Sequence, residues 1–239
     1  MRMSSRTVTV VSAAAGLIAL SAALAPAALA DGKGTGSGID KQRMMRKSDV
    51  PAVLGKTTSY GFSNRTIDRS LGICEDANGK VTSIVAPTRQ AWVDIENKAS
   101  KTVPYSSDQE FVYQYPSTDA ATAAFKALST AAAACTGTTT GNDPGSTQIK
   151  VTTTLSTGTV PVGAAGTATW VQESSAYTAP AGFPANGAKT IQYTVFAQAG
   201  DAITSTVYFV NGSDAISPAQ VTAMQQLAQG NAMRWMARR

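Results

Sequence analysis

Residues 189–211, KTIQYTVFAQAGDAITSTVYFVN, decide the fold. Two runs rich in Val, Ile, Tyr, Phe and Thr flank the short break Ala199-Gly200-Asp201, and that pattern forms a β-hairpin rather than a helix. Alternation along the runs puts Ile191, Tyr193 and Val195 on one side, with Ile203, Val207 and Phe209 expected to match them. Gln192, Thr194, Gln198, Thr204 and Thr206 then line the other side, so one face of the sheet is expected to be dry and the other polar.

Working outward, TQIKVTTTLST and GTATWVQESS read as two strands before the hairpin, and residues 71–75, 88–98 and 110–116 as three earlier ones. Between the two groups lies STDAATAAFKALSTAAAACT, residues 117–136. Ser117 or Thr118 serves as N-cap and Asp119 sits in the first turn, where a carboxylate suits the positive end of a helix. Alanine is the best helix former and the smallest, so this helix can lie close against a sheet while Phe125 and Leu128 insert. Gly137 is its expected stop. SPAQVTAMQQLAQGNAMRWM, residues 217–236, has Ser217 as cap and Pro218 at the first helical position, with Val221, Met224, Ala228 and Trp235 at helical spacing. Gly230 is expected to end or bend it. SDVPAVLG, residues 48–55, reads as a short helix capped by Ser48 and terminated by Gly55. This order predicts an α+β fold: a mainly antiparallel, twisted sheet flanked by helices, in a single domain.

Residues 1–30 read as a secretory signal peptide: Arg2 and Arg6, then the apolar VTVVSAAAGLIALSAALAP, then Ala28-Leu29-Ala30 before Asp31. An uncleaved anchor is the alternative reading of the same stretch. Residues 31–47, DGKGTGSGIDKQRMMRK, read as a flexible basic linker, and residues 48–239 as the domain. The expected location is extracellular, with no stable membrane insertion after cleavage. Charge is segregated: residues 31–47 carry five basic side chains against two acidic, the tail RWMARR is basic, and residues 48–233 hold ten Lys or Arg against thirteen Asp or Glu. A nucleic-acid partner is not expected, because such proteins carry their basic stripe on the folded face. The basic ends read as solvated tails or as contacts to an anionic envelope.

The chain has two cysteines, Cys74 and Cys135, and no histidine. A catalytic thiolate needs an adjacent base, and a zinc site needs more ligands than two cysteines supply. In an oxidising compartment a lone pair of thiols is expected to join, so one disulfide, Cys74 to Cys135, is part of the expected fold.

SDVPAVLG, the Trp of QAWVDIENK, YPSTDAATAAFKALSTAAAACTG and TIQYTVFAQAGDAITSTVYFV together resemble the PknH-like extracellular sensor domains of actinobacterial secreted proteins, lipoproteins and receptor kinases. The resemblance spans roughly residues 44 to 236 and implies an antiparallel sheet with flanking helices, a cleft for an extracellular ligand, and no catalysis. Kinase-linked members carry two disulfides where this chain can form one. No kinase or transmembrane segment through which to signal is expected.

Trp92, Asp94 and Glu96 alternate on one side of their strand, opposite Val93 and Ile95, and form a candidate acidic, aromatic floor for a cationic or sugar-like ligand; a solvated strand face with one packed Trp is the plainer reading. Phe111, Tyr113 and Tyr115 form a stripe that either packs in the core or lines the cleft, with Tyr113 and Tyr115 as further ligand-binding candidates. Trp170 reads as core. Carboxylates two apart on one strand point the same way, whereas glycosidase acids flank a bond from opposite sides. No Ser-x-x-Lys or Gly-x-Ser-x-Gly occurs, and GKGTGSG lacks the strand and helix of a phosphate loop. The expected function is a secreted, non-enzymatic, sensor-like binding domain with no cofactor and no metal, its partner a small extracellular ligand or an envelope protein. The alternative is a secreted protein-interaction module, such as an enzyme inhibitor or envelope assembly factor.

Overall fold

A computed structural model describes residues 39–65, 72–75, 81–84, 86–97, 105–143, 146–183, 185–213 and 215–237. The expected signal peptide, the linker up to residue 38 and the side chain of Cys74 lie outside the described residues.

Among the described residues eight strands form one antiparallel sheet, and two more form a separate pair. In chain order they are β1 (Gly61–Arg65), β2 (Gly72–Glu75), β3 (Val81–Ser83), β4 (Arg89–Asn97), β5 (Ser106–Gln114), β6 (Gly137–Asp143), β7 (Ser146–Pro161), β8 (Thr167–Thr178), β9 (Lys189–Ala199) and β10 (Ala202–Asn211). The large sheet runs β1-β4-β5-β10-β9-β8-β7-β6, and β2 pairs with β3. Helix α1 (Thr118–Ala134) lies on one face over β7 to β10, and helix α2 (Pro218–Met236) on the other over β9 and β10.

Both helices begin as their sequences predict. Ser117 Oγ accepts from Ala120 N at 3.1 Å. Ser217 and Gln220 form a reciprocal box: Ser217 N donates to Gln220 Oε1 at 2.9 Å and Gln220 N to Ser217 Oγ at 3.3 Å. Gly230 neither ends nor interrupts α2, which continues to Met236. Residues 48–55 form no α-helix. Two 3-10 turns, Lys47–Asp49 and Ala52–Leu54, stand either side of Pro51, whose ring and missing N–H oppose a continuous helix. Gly55 closes the second turn at φ 140°, and a Cβ there would lie 2.8 Å from Asn97 Cγ.

The expected fold class is therefore corrected. Among the described residues one eight-stranded antiparallel sheet dominates, with two α-helices and not three, and β1, β3 and β6 were absent from the expected order. The sheet, and not the Cys74 to Cys135 disulfide, defines the class, because the side chain of Cys74 lies outside the described residues. Cys135 closes α1, half-buried, with Sγ 2.8 Å from the Ala131 carbonyl oxygen, and no described cysteine is free.

The hairpin corrects the expected faces. Its turn is the two-residue Gly200-Asp201, so Ala199 pairs with Ala202 and odd positions on β9 face even positions on β10. Ile191, Tyr193 and Val195 share their side with Val210, Tyr208 and Thr206, whereas Ile203, Val207 and Phe209 lie beside Gln198, Thr194 and Gln192. One residue of register exchanges the faces. Neither face is wet: Thr194, Thr204 and Thr206 are buried, because α1 and α2 cover opposite sides.

Two apolar clusters result. On the α1 side, Ala121, Ala124, Leu128 and Ala132 meet Phe111, Tyr113, Val171, Phe196, Ile203 and Val207. On the α2 side, Met224, Leu227, Ala228 and Trp235 meet Ala91, Val93, Ile95, Val112, Tyr193 and Val195. Ile39, Met44 and Met45, which the sequence placed in the linker, are buried in this second cluster. Gln220 Nε2 donates to Tyr208 OH at 2.9 Å and Gln225 Nε2 to Tyr193 OH at 3.2 Å, seating the helix on the hairpin.

Candidate functional site

Strand β4 alternates as expected. Ala91, Val93 and Ile95 are buried toward α2, and Trp92, Asp94 and Glu96 point to the opposite side. Register with β5 places Phe111 beside Trp92, Gln109 beside Asp94 and Ser107 beside Glu96. Trp92 is partly buried and packs against the α1-side cluster.

The carboxylates differ in setting. Asp94 is half-buried, and its Oδ1 accepts from Gln109 Nε2 at 3.1 Å. Burial raises its pKa; the Gln109 hydrogen bond opposes the rise and the Glu96 charge adds to it. Glu96 is exposed at the rim, where Oε2 accepts from Ser59 Oγ at 3.1 Å and Oε1 from Tyr105 OH at 3.4 Å. Tyr105 is 36% exposed, and its hydroxyl is pushed up to about 12 by burial first and by the charges of Glu96 and Asp94 next. The ridge thus combines two aromatic surfaces, two carboxylates and an amide. It can accept hydrogen bonds from a cation or a polyol.

Tyr113 and Tyr115 do not join this ridge. Both are 2% exposed within the α1-side cluster, where Tyr113 stacks on Phe111 at 6.3 Å. Burial raises both hydroxyl pKa values, that of Tyr115 to about 12. Trp170 is half-buried and stacks on Tyr193 at 5.7 Å; a Cβ on Gly158 would meet its ring at 2.7 Å. Gln109, Ser59 and Tyr105 were missed in the sequence. Gln109 was findable, since it stands two places before Phe111 on the same stripe, but the other two come from segments with no strand pattern.

Asp108 and Glu110 occupy the opposite face of β5, toward α2, and both are fully buried. Asp108 Oδ2 accepts from Asn97 Nδ2 at 2.9 Å, and Glu110 Oε2 accepts from the backbone N–H of Met45. Burial pushes each carboxyl up to about 7. Glu173, on the α1 side, is likewise raised to about 7 by burial, against a hydrogen bond from Ser175 Oγ at 3.3 Å. Among the described residues no group of three or more Cys, Asp or Glu side chains could hold a metal ion.

No family model matches the chain, and no curated protein does. Among solved structures it is similar to the crystal structure of the extracellular domain of PknH from Mycobacterium tuberculosis. The identity is 12%, the TM-score 0.50, and the match covers 81% of this chain and 97% of that one. At that identity the likeness is one of fold. No described helix is long and apolar enough to cross a membrane.

Proposed function

We propose that this protein is a secreted, non-enzymatic binding domain whose ligand-contacting surface is the ridge of Trp92, Asp94 and Glu96, extended by Gln109 and Tyr105. The observation that carries the reading is Glu96: an exposed carboxylate whose two oxygens are oriented by Ser59 and Tyr105, with the half-buried Asp94 two residues away on the same face. Oriented acceptors beside an indole suit a cationic or hydroxyl-rich ligand, by cation–π and charge-assisted contacts. The fold's likeness to an extracellular domain supports a role outside the cell. The absence of histidine from the sequence supports binding rather than acid–base chemistry.

Tryptophan fluorescence titration with a cationic sugar, a chitosan tetramer, tests it. Saturable quenching is expected, weakened at least about tenfold in Glu96→Gln and in Trp92→Ala, the loss that removing one charge-assisted contact or one anchoring ring produces. Equal affinity in Glu96→Gln, or the same response from an uncharged cello-oligosaccharide in both proteins, would remove the ridge as a cation site.

A further inference from the structure

The sequence separates two basic segments by almost its whole length, yet the fold brings them together. Arg43, in the N-terminal 3-10 turn Lys41–Arg43, donates through Nη2 to the Trp235 carbonyl oxygen at the end of α2, and its guanidinium lies 3.6 Å from the Trp235 ring centre. Arg234 Nη2 meets Asp49 Oδ2 at 2.7 Å. The end of α2 is thereby fastened to residues 39–55, and one pole of the molecule collects the charge. Lys41, Arg46, Lys47 and Lys56 are exposed there. Of the two acids in this segment, Asp49 is committed to Arg234 and to the backbone N–H of Arg46, which leaves Asp40 as the exposed one.

Two further features separate this pole from a merely solvated one. Lys41 and Arg46 line an open cavity of about 500 Å³ with Asp40, Gln42 and Tyr60. Val53 and Met233 are 48% and 45% exposed, and they stand four residues after Asp49 and one before Arg234. Lys41 Nζ lies over the Tyr60 and Phe62 rings, and Arg46 and Lys47 donate to the Gln42 and Thr58 carbonyls, contacts that leave their charge unneutralised. Exposed apolar side chains beside such cations match the interfacial region of a bilayer, where acyl chains and phosphates lie within a few ångströms of each other. A soluble polyanion would use the cations and leave Val53 and Met233 without a role.

We propose that this pole docks reversibly on the surface of an anionic lipid bilayer, with Lys41, Arg46, Lys47 and Lys56 on headgroup phosphates and Val53 and Met233 in the interface. The contact is peripheral, goes beyond the ligand ridge, and has a readout of its own. Vesicle flotation tests it with the protein as recovered from the medium of a secreting host. Variant and wild type are compared in the same form, so any remaining N-terminal segment contributes equally to both.

Vesicles of equimolar phosphatidylglycerol and phosphatidylcholine are expected to bind the protein, and pure phosphatidylcholine vesicles to bind at least about tenfold less, since each contacting Lys or Arg contributes roughly fivefold. Raising salt from about 50 to about 500 mM should weaken the binding at least about tenfold. The combined substitution Lys41→Gln, Arg46→Gln, Lys47→Gln and Lys56→Gln should reproduce the loss with an unchanged melting temperature. Should that variant fold poorly, Val53→Ser with Met233→Ser carries the test, and it should lower binding to anionic vesicles while leaving capture by soluble polyphosphate unchanged. The proposal is overturned by equal binding to both vesicle types, by a folded charge variant that binds like wild type, or by binding to polyphosphate without binding to vesicles.

Discussion

Glu110 is the residue whose setting departs furthest from its type. It is fully buried, one oxygen is held by the Met45 N–H, and Oε1 has no hydrogen-bond partner among the described residues. The charges of Arg234 and Asp49 act on it in opposite directions, so burial decides, and its pKa rises to about 7 from an ordinary 4.5. A carboxyl raised in this way keeps its proton longer in the folded chain than in the unfolded one, so folding stability falls as pH climbs from the ordinary value to the raised one. Asp108, raised to about 7 from 3.8, acts in the same direction. The melting temperature is therefore expected to be higher at about pH 5 than at about pH 8, by a few kcal/mol of stability for the groups together. Glu110→Gln should remove roughly 1–3 kcal/mol of that difference, because a neutral amide keeps the acceptor for Met45 and carries no charge to desolvate. Urea denaturation at the two pH values measures it, and an unchanged difference would show that Glu110 is not the buried acid responsible. Nothing local announces this residue: SSDQEFVYQY holds no basic partner for its acids, and the Met45 N–H that meets Glu110 lies 65 positions back in the chain.

At the scale of elements, the parts legible in the sequence were those whose signals are local. Capping at Ser117 and Ser217, the alanine-rich stripe of α1, the alternation of β4 and the strand-forming composition of β7 to β10 all depend on neighbours a few residues apart. The register of the last hairpin depended on whether its turn held two residues or three, which the letters Ala-Gly-Asp do not decide, and that one residue exchanged the faces. Residues 39–47 failed for a different reason: four glycines nearby suggested a linker, while Met45 finds its partners on the sheet at Glu110, 65 positions on, and on α2 at Asn231, 186 positions on. Met44→Ala and Met45→Ala should each cost about 2–5 kcal/mol, the range for emptying a buried side chain's site. Substitutions in a solvated linker stay within about 0.5 kcal/mol. Chemical denaturation separates the two outcomes, and changes at the smaller value would return this segment to the linker.

For the molecule as a whole, a sheet covered on both sides has a gradient of stability running outward from its middle. β9 and β10 pair with each other and with β8 and β5, almost every one of their side chains is buried, and α1 and α2 press on them from opposite sides. β6 stands at one edge, with most of its side chains exposed and its inner side fastened by hydroxyl pairs such as Thr138 with Thr154 and Thr140 with Thr152, each at 3.1 Å. Hydroxyl pairs in water contribute little, and an edge strand opens without disturbing either apolar cluster. β4 and β5, which carry the ridge, lie between these extremes, close enough to the centre to hold Asp94 and Glu96 in place. Three-layer covering also explains why Gln192, Thr194 and Thr206 read as solvent-facing: strands buried on both faces need not alternate in polarity, and their threonines are satisfied inside. Amide hydrogen exchange should follow this order, with β9 and β10 exchanging last and only through global unfolding, and β6 at least about a hundredfold faster through local opening. Protection of β6 equal to that of β10 would mean that its outer edge is covered in solution, and would point to a partner along that strand.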